Sequence, residues 1–158
     1  MKFTIPALTA FTLLAIVSIA LTADPTEPKP QGAKVVWQTD YAQAMEQAKQ
    51  EKKFVILDFT GSDWCAPCIK LRREVFGSPE FLAFAEKNLV CVELDFPRKK
   101  SLPAELASQN EYLQQKFKIR EFPTVIVLNS DGKLLGSLGY QGDAPTAWLR
   151  SLNQLLSK

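Results

Sequence analysis

A chain of 158 residues with 46% hydrophobic side chains has apolar material for one substantial core but not the length for two comfortable ones. Its formal net charge of +2 lacks the basic surplus of a nucleic-acid binder, so no nucleic-acid partner is expected. There is no histidine and there are only three cysteines, which removes Ser-His-Asp and Cys-His nucleophile schemes and leaves too few ligands for a four-coordinate zinc site.

Residues 1–23 read as a signal peptide. Lys2 supplies a short positive start, Ile5 to Ala20 is uncharged and mostly apolar, and small residues place cleavage after Ala20 or Ala23. The alternative is an uncleaved anchor holding the domain on the periplasmic side, which would be the chain's one membrane contact. The apolar stretch is shorter than the roughly 20 residues a span prefers. Export implies a bacterial-type periplasm, where disulfides persist. Residues 24–33 hold Pro25, Pro28 and Pro30 among polar residues and read as a linker. The domain is then 34–158.

Within the domain, Val35-Val36-Trp37 is a short strand candidate. Asp40 can cap a helix whose apolar face carries Tyr41, Ala44, Met45 and Ala48, with Gln43 completing a box-like pattern. Phe54 to Phe59 is apolar on both faces, as a central strand covered by helices on both sides should be. A helix through Ile69 to Phe76 ends at Gly77. Ser78 and Pro79 begin another, ending near Lys87. Leu89 to Leu94 is a second buried strand. A connection from Phe96 to about Ser108 leads to a helix over Gln109 to Phe117. Thr124 to Leu128 is a strand, Asn129-Ser130-Asp131-Gly132 a hairpin turn, and Lys133 to Leu138 the returning strand. Asp143 caps a last helix with the stripe Ala144, Trp148, Leu152 and Leu155. The order predicts an α/β fold, a mixed central sheet flanked by helices on both faces, parallel early and antiparallel late.

The segment Trp64-Cys65-Ala66-Pro67-Cys68 carries the chemistry. Two thiols three positions apart, between a strand and a helix, can close and reopen a small disulfide. Cys65 falls at or before the first helical turn, where unpaired N–H groups favour its thiolate. Cys68 lies one turn further in, more buried, and acts second. Pro67 costs no donor there, and Trp64 shields the pair while leaving Cys65 accessible. The alternative is a structural disulfide or two inert cysteines, but so small a loop adds little stability. Cys91, inside a predicted core strand, reads as an inert thiol, with a third redox cysteine as the minority reading.

This W-C-x-P-C run after an apolar strand, with Pro123 before a later strand, resembles the thioredoxin superfamily. Within it the chain is similar to exported bacterial thioredoxin-like disulfide reductases of the DsbD C-terminal domain and DsbH kind, over the whole domain. The resemblance implies a thioredoxin-like fold; no cofactor is expected, and the supply of ligands already argues against a metal. Protein disulfides are the expected substrates, and in an exported setting a membrane thiol transporter is the expected electron donor. The resemblance makes Cys65 the attacking and Cys68 the resolving cysteine, and Pro123 a cis-proline facing them. Trp64, Phe122, Thr124 and Gly139 would line the substrate. Asp58 would be the buried acid; a carboxyl within an apolar strand should have a raised pKa and suit proton transfer from Cys68. Alternatively Asp58 is an exposed strand-end residue.

The chain also departs from the family pattern. Thr60-Gly61-Ser62-Asp63 is a residue longer than the common spacing, so Asp63 could take part of the electrostatic role of Asp58. Glu121 stands where many members have Gly, and Phe122 is bulkier than usual. The connection after Asp95 is longer than in minimal members, either an accessory surface or a solvated insertion. Arg98-Lys99-Lys100 within it reads as a solvated loop.

Ala66-Pro67 and the lack of His favour reduction, with oxidase or isomerase as alternative; Arg72 and Arg73 would push the other way. A Cu(I) metallochaperone or a non-catalytic binding module are remoter readings.

Overall fold

A computed structural model describes residues 1–2 and 35–157. Apart from Met1 and Lys2, the expected signal peptide and linker lie outside the described residues. No helix among the described residues is long and apolar enough to cross a membrane.

The elements run β1 Trp37–Gln38, α1 Tyr41–Glu51, β2 Phe54–Thr60, α2 Ala66–Leu71, a π-helical turn Arg72–Phe76, α3 Pro79–Asn88 and β3 Leu89–Asp95. They continue as α4 Ala104–Lys116, β4 Thr124–Leu128, β5 Leu134–Leu138 and α5 Pro145–Leu156. The sheet order is β1-β3-β2-β4-β5. β3 pairs parallel with β1 and β2, while β4 pairs antiparallel with β2 and β5.

β2 sits at the centre and is buried on both faces, which explains its unbroken apolar run. On one face Val55, Leu57 and Phe59 pack with Val90, Val92, Leu94 and Ile126 against Ala44 and Ala48 of α1 and Leu113 of α4. On the other, Ile56, Cys91, Val125 and Val127 pack against Leu71 and Val75, Phe81 of α3, and Trp148 and Leu152 of α5. Each buried aliphatic or aromatic side chain contributes about 1.5–3 kcal/mol of transfer free energy. The result is a three-layer α/β fold with the C-terminal end of β2 delivering the chain to the dithiol.

Several local signals act as their chemistry requires. Asp40 Oδ1 accepts the Gln43 N–H at 2.9 Å to cap α1, and Ser78 Oγ accepts the Phe81 N–H at 3.2 Å to cap α3. Asn129 Oδ1 accepts the N–H groups of Asp131 and Lys133, and Gly132 takes a left-handed φ of 82° in the hairpin. A Cβ on Gly77 would lie 2.9 Å from the Arg73 carbonyl, so the helix end there needs glycine for space.

Four expectations are corrected. β1 starts at Trp37, with Val36 exposed, because only Trp37 and Gln38 find partners, on Cys91 and Val92. The helix after Cys68 is α-helical only to Leu71 and then widens to a π-turn. α4 begins at Ala104, behind Pro103, so the later part of the 96–108 connection is helix. α5 is capped at Ala144 with Pro145 in its first turn; Asp143 makes no cap, and Leu149 joins Trp148 and Leu152 as the buried stripe.

Candidate functional site

The chain leaves β2 at Thr60 and reaches α2 through Gly61-Ser62-Asp63-Trp64. Gly61 makes this tight connection possible: its carbonyl accepts the Cys65 N–H at 2.9 Å and the Trp64 N–H at 3.3 Å. A Cβ on Gly61 would lie 2.5 Å from the Trp64 indole. Cys65 is the N-cap of α2, and its Sγ accepts the Cys68 N–H at 3.3 Å. The sulfur therefore sits on the donor end of the first turn, where negative charge is favoured.

Cys65 and Cys68 are joined as a disulfide, with Cα atoms 5.3 Å apart. Both are buried, at 5% and 3% exposure, so the expected contrast in accessibility is small in this oxidised state. Pro67 stands in the first turn without loss of a donor.

The Phe122–Pro123 peptide bond is cis. Phe122 packs its ring 6.0 Å from that of Trp64 and 5.1 Å from that of Phe96, measured between centroids, and so joins the cis-proline turn to the dithiol loop. Thr124 Oγ1 donates to the Glu121 carbonyl at 2.7 Å, which commits that hydroxyl to the turn. Gly139 is exposed, and a Cβ there would lie 4.0 Å from the Pro123 carbonyl, an ordinary contact. Two grooves flank the centre. One, of about 300 Å³, is lined by Ala66, Pro67, Lys70 and Tyr140. The other, of about 430 Å³, runs past Glu121, Thr124 and Gly139.

Asp58 is buried at 2% exposure, which removes the exposed alternative. It lies on the α2 face of β2, paired in register with Glu93 on β3 and Val125 on β4. Its Oδ1 has no hydrogen-bond partner. Burial raises its pKa to about 7; the Arg72 cation opposes this, and the Glu93 and Asp95 charges add to it. Arg72 reaches across from the π-turn to form an ion pair with Glu93, and Arg73 pairs with Glu74.

Asp63 is placed differently. Its carboxylate accepts the Arg98 N–H at 3.0 Å and the Lys99 N–H at 2.7 Å. The Arg98 N–H, above the other contacts, holds the Asp63 carboxyl below its ordinary range. It is bound to a loop as an anion, unlike the unpartnered carboxyl of Asp58.

Cys91 is 1% exposed in the β3 core, opposite Trp37 and Ile56, and is unpaired. Burial, reinforced by the charge of Asp58, pushes its thiol far above the ordinary range. Among the described residues no group of three or more His, Cys, Asp or Glu side chains is arranged to hold a metal ion.

Sequence reasoning missed the frame around the dithiol. Asp95, at the end of β3, accepts the Ser62 N–H at 2.8 Å and the Ser62 hydroxyl at 2.7 Å, and pairs with Lys100 at 3.0 Å. Burial opposes ionisation of Asp95, but these partners outweigh it and hold its carboxyl low. Trp64 Nε1–H donates to the Phe96 carbonyl at 2.7 Å, and Asn110 of α4 donates to the Asp95 carbonyl at 2.9 Å. The connection after β3 is therefore bonded to the dithiol loop. The one signal for this in the sequence is a polar Asp95 closing a buried strand.

Residues 41–154 match the family described as a thioredoxin-like domain. The chain is 36% identical over 124 residues to the disulfide bond reductase DsbH of Chlamydia pneumoniae, covering 78% of this chain and 74% of that one. It is 35% identical over 109 residues to the thioredoxin-related protein DsbJ of the same organism, where the match spans 69% of this chain but only 31% of the relative. A solved structure described as DsbH oxidoreductase superposes with a TM-score of 0.76 at 34% identity, covering 85% of this chain and 93% of that one. Similarity on this scale, on a sheet with this strand order and around a strand-to-helix dithiol, has one reading: the chain belongs to the thioredoxin-like family and is a thiol–disulfide oxidoreductase.

Proposed function

We propose that the protein reduces protein disulfides in a bacterial-type periplasm through a Cys65–Cys68 cycle. The similarity over 78% of the chain to a protein named a disulfide bond reductase carries the direction. The charge balance near α2 supports it. Arg72 pairs with Glu93 and Arg73 with Glu74, so neither guanidinium is left unpaired to stabilise a thiolate in the manner of a strong oxidant.

In the reducing direction the Cys65 thiolate attacks one sulfur of a substrate disulfide, and the other sulfur leaves as a thiolate that takes a proton from solvent. A mixed disulfide remains. The Cys68 thiol gives its proton to the Asp58 carboxylate, and the Cys68 thiolate attacks Cys65 Sγ. The second substrate thiolate departs. The substrate has gained two electrons, and the protein is left with the Cys65–Cys68 bond. Asp58 suits the proton step because its pKa of about 7 leaves it partly ionised at neutral pH. Trp64, Phe122, Pro123, Thr124 and Gly139 flank the centre as the substrate-facing surface. A dithiol donor at the membrane would return the two electrons.

Insulin reduction by the dithiol form tests the activity, with Cys65→Ser as the inactive partner. An unchanged rate in Cys65→Ser would refute the assignment.

A further inference from the structure

The connection between β3 and α4 is fastened to the dithiol loop by side chains of the loop itself. Trp64 donates to the Phe96 carbonyl at 2.7 Å. Asp63 takes the backbone N–H groups of Arg98 and Lys99. Ser62 is held by Asp95, which also pairs with Lys100. Three consecutive residues before Cys65 thus hold the end of β3 and the connection that follows it.

This fastening aims one side chain. The Arg98 guanidinium carbon lies 3.7 Å from the centroid of the Trp64 ring. Stacking on an indole fixes a guanidinium that would otherwise sweep solvent, and leaves its N–H edge free for an anion. The nearby acids are already engaged: Asp63 by backbone N–H groups and Asp95 by Ser62 and Lys100. Among the described residues neither Arg98 nor Lys99 is within ion-pair distance of a carboxylate, and both are exposed. Around the rest of the centre, Lys70 lines the groove beside Ala66 and Pro67. Arg120 and Glu121, of opposite charge, precede the cis-proline turn and line the other groove. On the Trp64 side Arg98, Lys99 and Lys100 stand against the carboxylates of Asp63 and Asp95, with Glu111 beyond Lys100 in the groove behind Phe96, so the positive charge is presented at the exposed edge formed by Arg98 and Lys99.

We propose that Arg98, held on Trp64, is a specificity-determining contact that selects protein disulfides with acidic residues beside the cysteine that Cys65 attacks. Lys99 adds to the same field. This rests on the oxidoreductase activity and says which substrates that activity prefers. Fixed charge at a docking rim acts mainly on the encounter rate, so the preference appears in kcat/KM and weakens with salt.

The test uses the full chain in its dithiol form and two disulfide-linked peptides alike except for Glu or Lys flanking one cysteine. Each rate is divided by that on uncharged hydroxyethyl disulfide, which reports thiol exchange without charge recognition. The expected result is a normalised preference for the Glu peptide of about tenfold at low ionic strength, collapsing by about 0.5 M salt. Arg98→Ala should reduce the preference and Arg98→Glu should reverse it. Equal normalised rates on the two peptides would overturn the proposal. So would an Arg98→Glu protein with the original preference, or one in which all three substrates change by the same factor.

Discussion

Replacing Asp58 by Asn should stabilise the oxidised protein at alkaline pH and leave it unchanged in acid. The carboxyl is buried with an unpartnered oxygen, and its pKa stands at about 7 against an ordinary 3.8. As pH rises from 3.8, the unfolded chain loses this proton before the folded one does. Folding stability therefore falls through that window and levels off above 7. An interval of about three pH units at about 1.4 kcal/mol each amounts to about 4 kcal/mol. That is a large share of the 5–15 kcal/mol typical of a domain. Asparagine cannot ionise, so it removes the pH-dependent part. Urea unfolding of the oxidised wild-type and Asp58→Asn proteins at about pH 4 and about pH 8 measures it. The variant's advantage should be near zero in acid and about 4 kcal/mol in base. An advantage of the same size at both pH values would refute the claim that burial raises the pKa of Asp58.

Further expectations concern the neighbours of the dithiol. Cys68→Ser should accumulate mixed disulfides through Cys65 that non-reducing electrophoresis detects, and no adduct with any disulfide substrate would contradict the resolving role. Gly61→Ala places a methyl 2.5 Å from the indole of Trp64 and should cost about 1–3 kcal/mol by overpacking, with altered Trp64 fluorescence. Unchanged stability and emission would show that this contact relaxes freely. Cys91 should resist alkylation in native reduced protein and react only on unfolding, because it is buried and its thiol is pushed far up. Rapid native labelling would contradict its place in the core.

The parts of the fold that were legible in the sequence are those set by local chemistry. Phe54–Thr60 reads as a doubly covered strand because it is apolar on both sides. Asp40 and Ser78 read as caps because their oxygens reach N–H groups three residues on. The dithiol at the N-cap follows from its position between strand and helix. α4 escapes at its start because Pro103 provides no side-chain cap and only Asn110 and Leu113 are buried along the helix, leaving no strong apolar stripe. The frame of the site escapes for another reason. Ser62 and Asp95 are 33 residues apart, and Asp63 and Arg98 are 35 apart. Such pairings depend on β2 and β3 ending side by side, Thr60 opposite Asp95, which is a property of the folded sheet. The run Arg98-Lys99-Lys100, which alone looks like a solvated loop, gains its orientation from Asp63 and Trp64.

The central claim is that the Cys65–Cys68 pair reduces protein disulfides, and equilibration with glutathione redox buffers tests it most directly. A midpoint nearer the about −270 mV of thioredoxin is expected, and one near the about −120 mV of DsbA would mark the pair as an oxidant and contradict the claim.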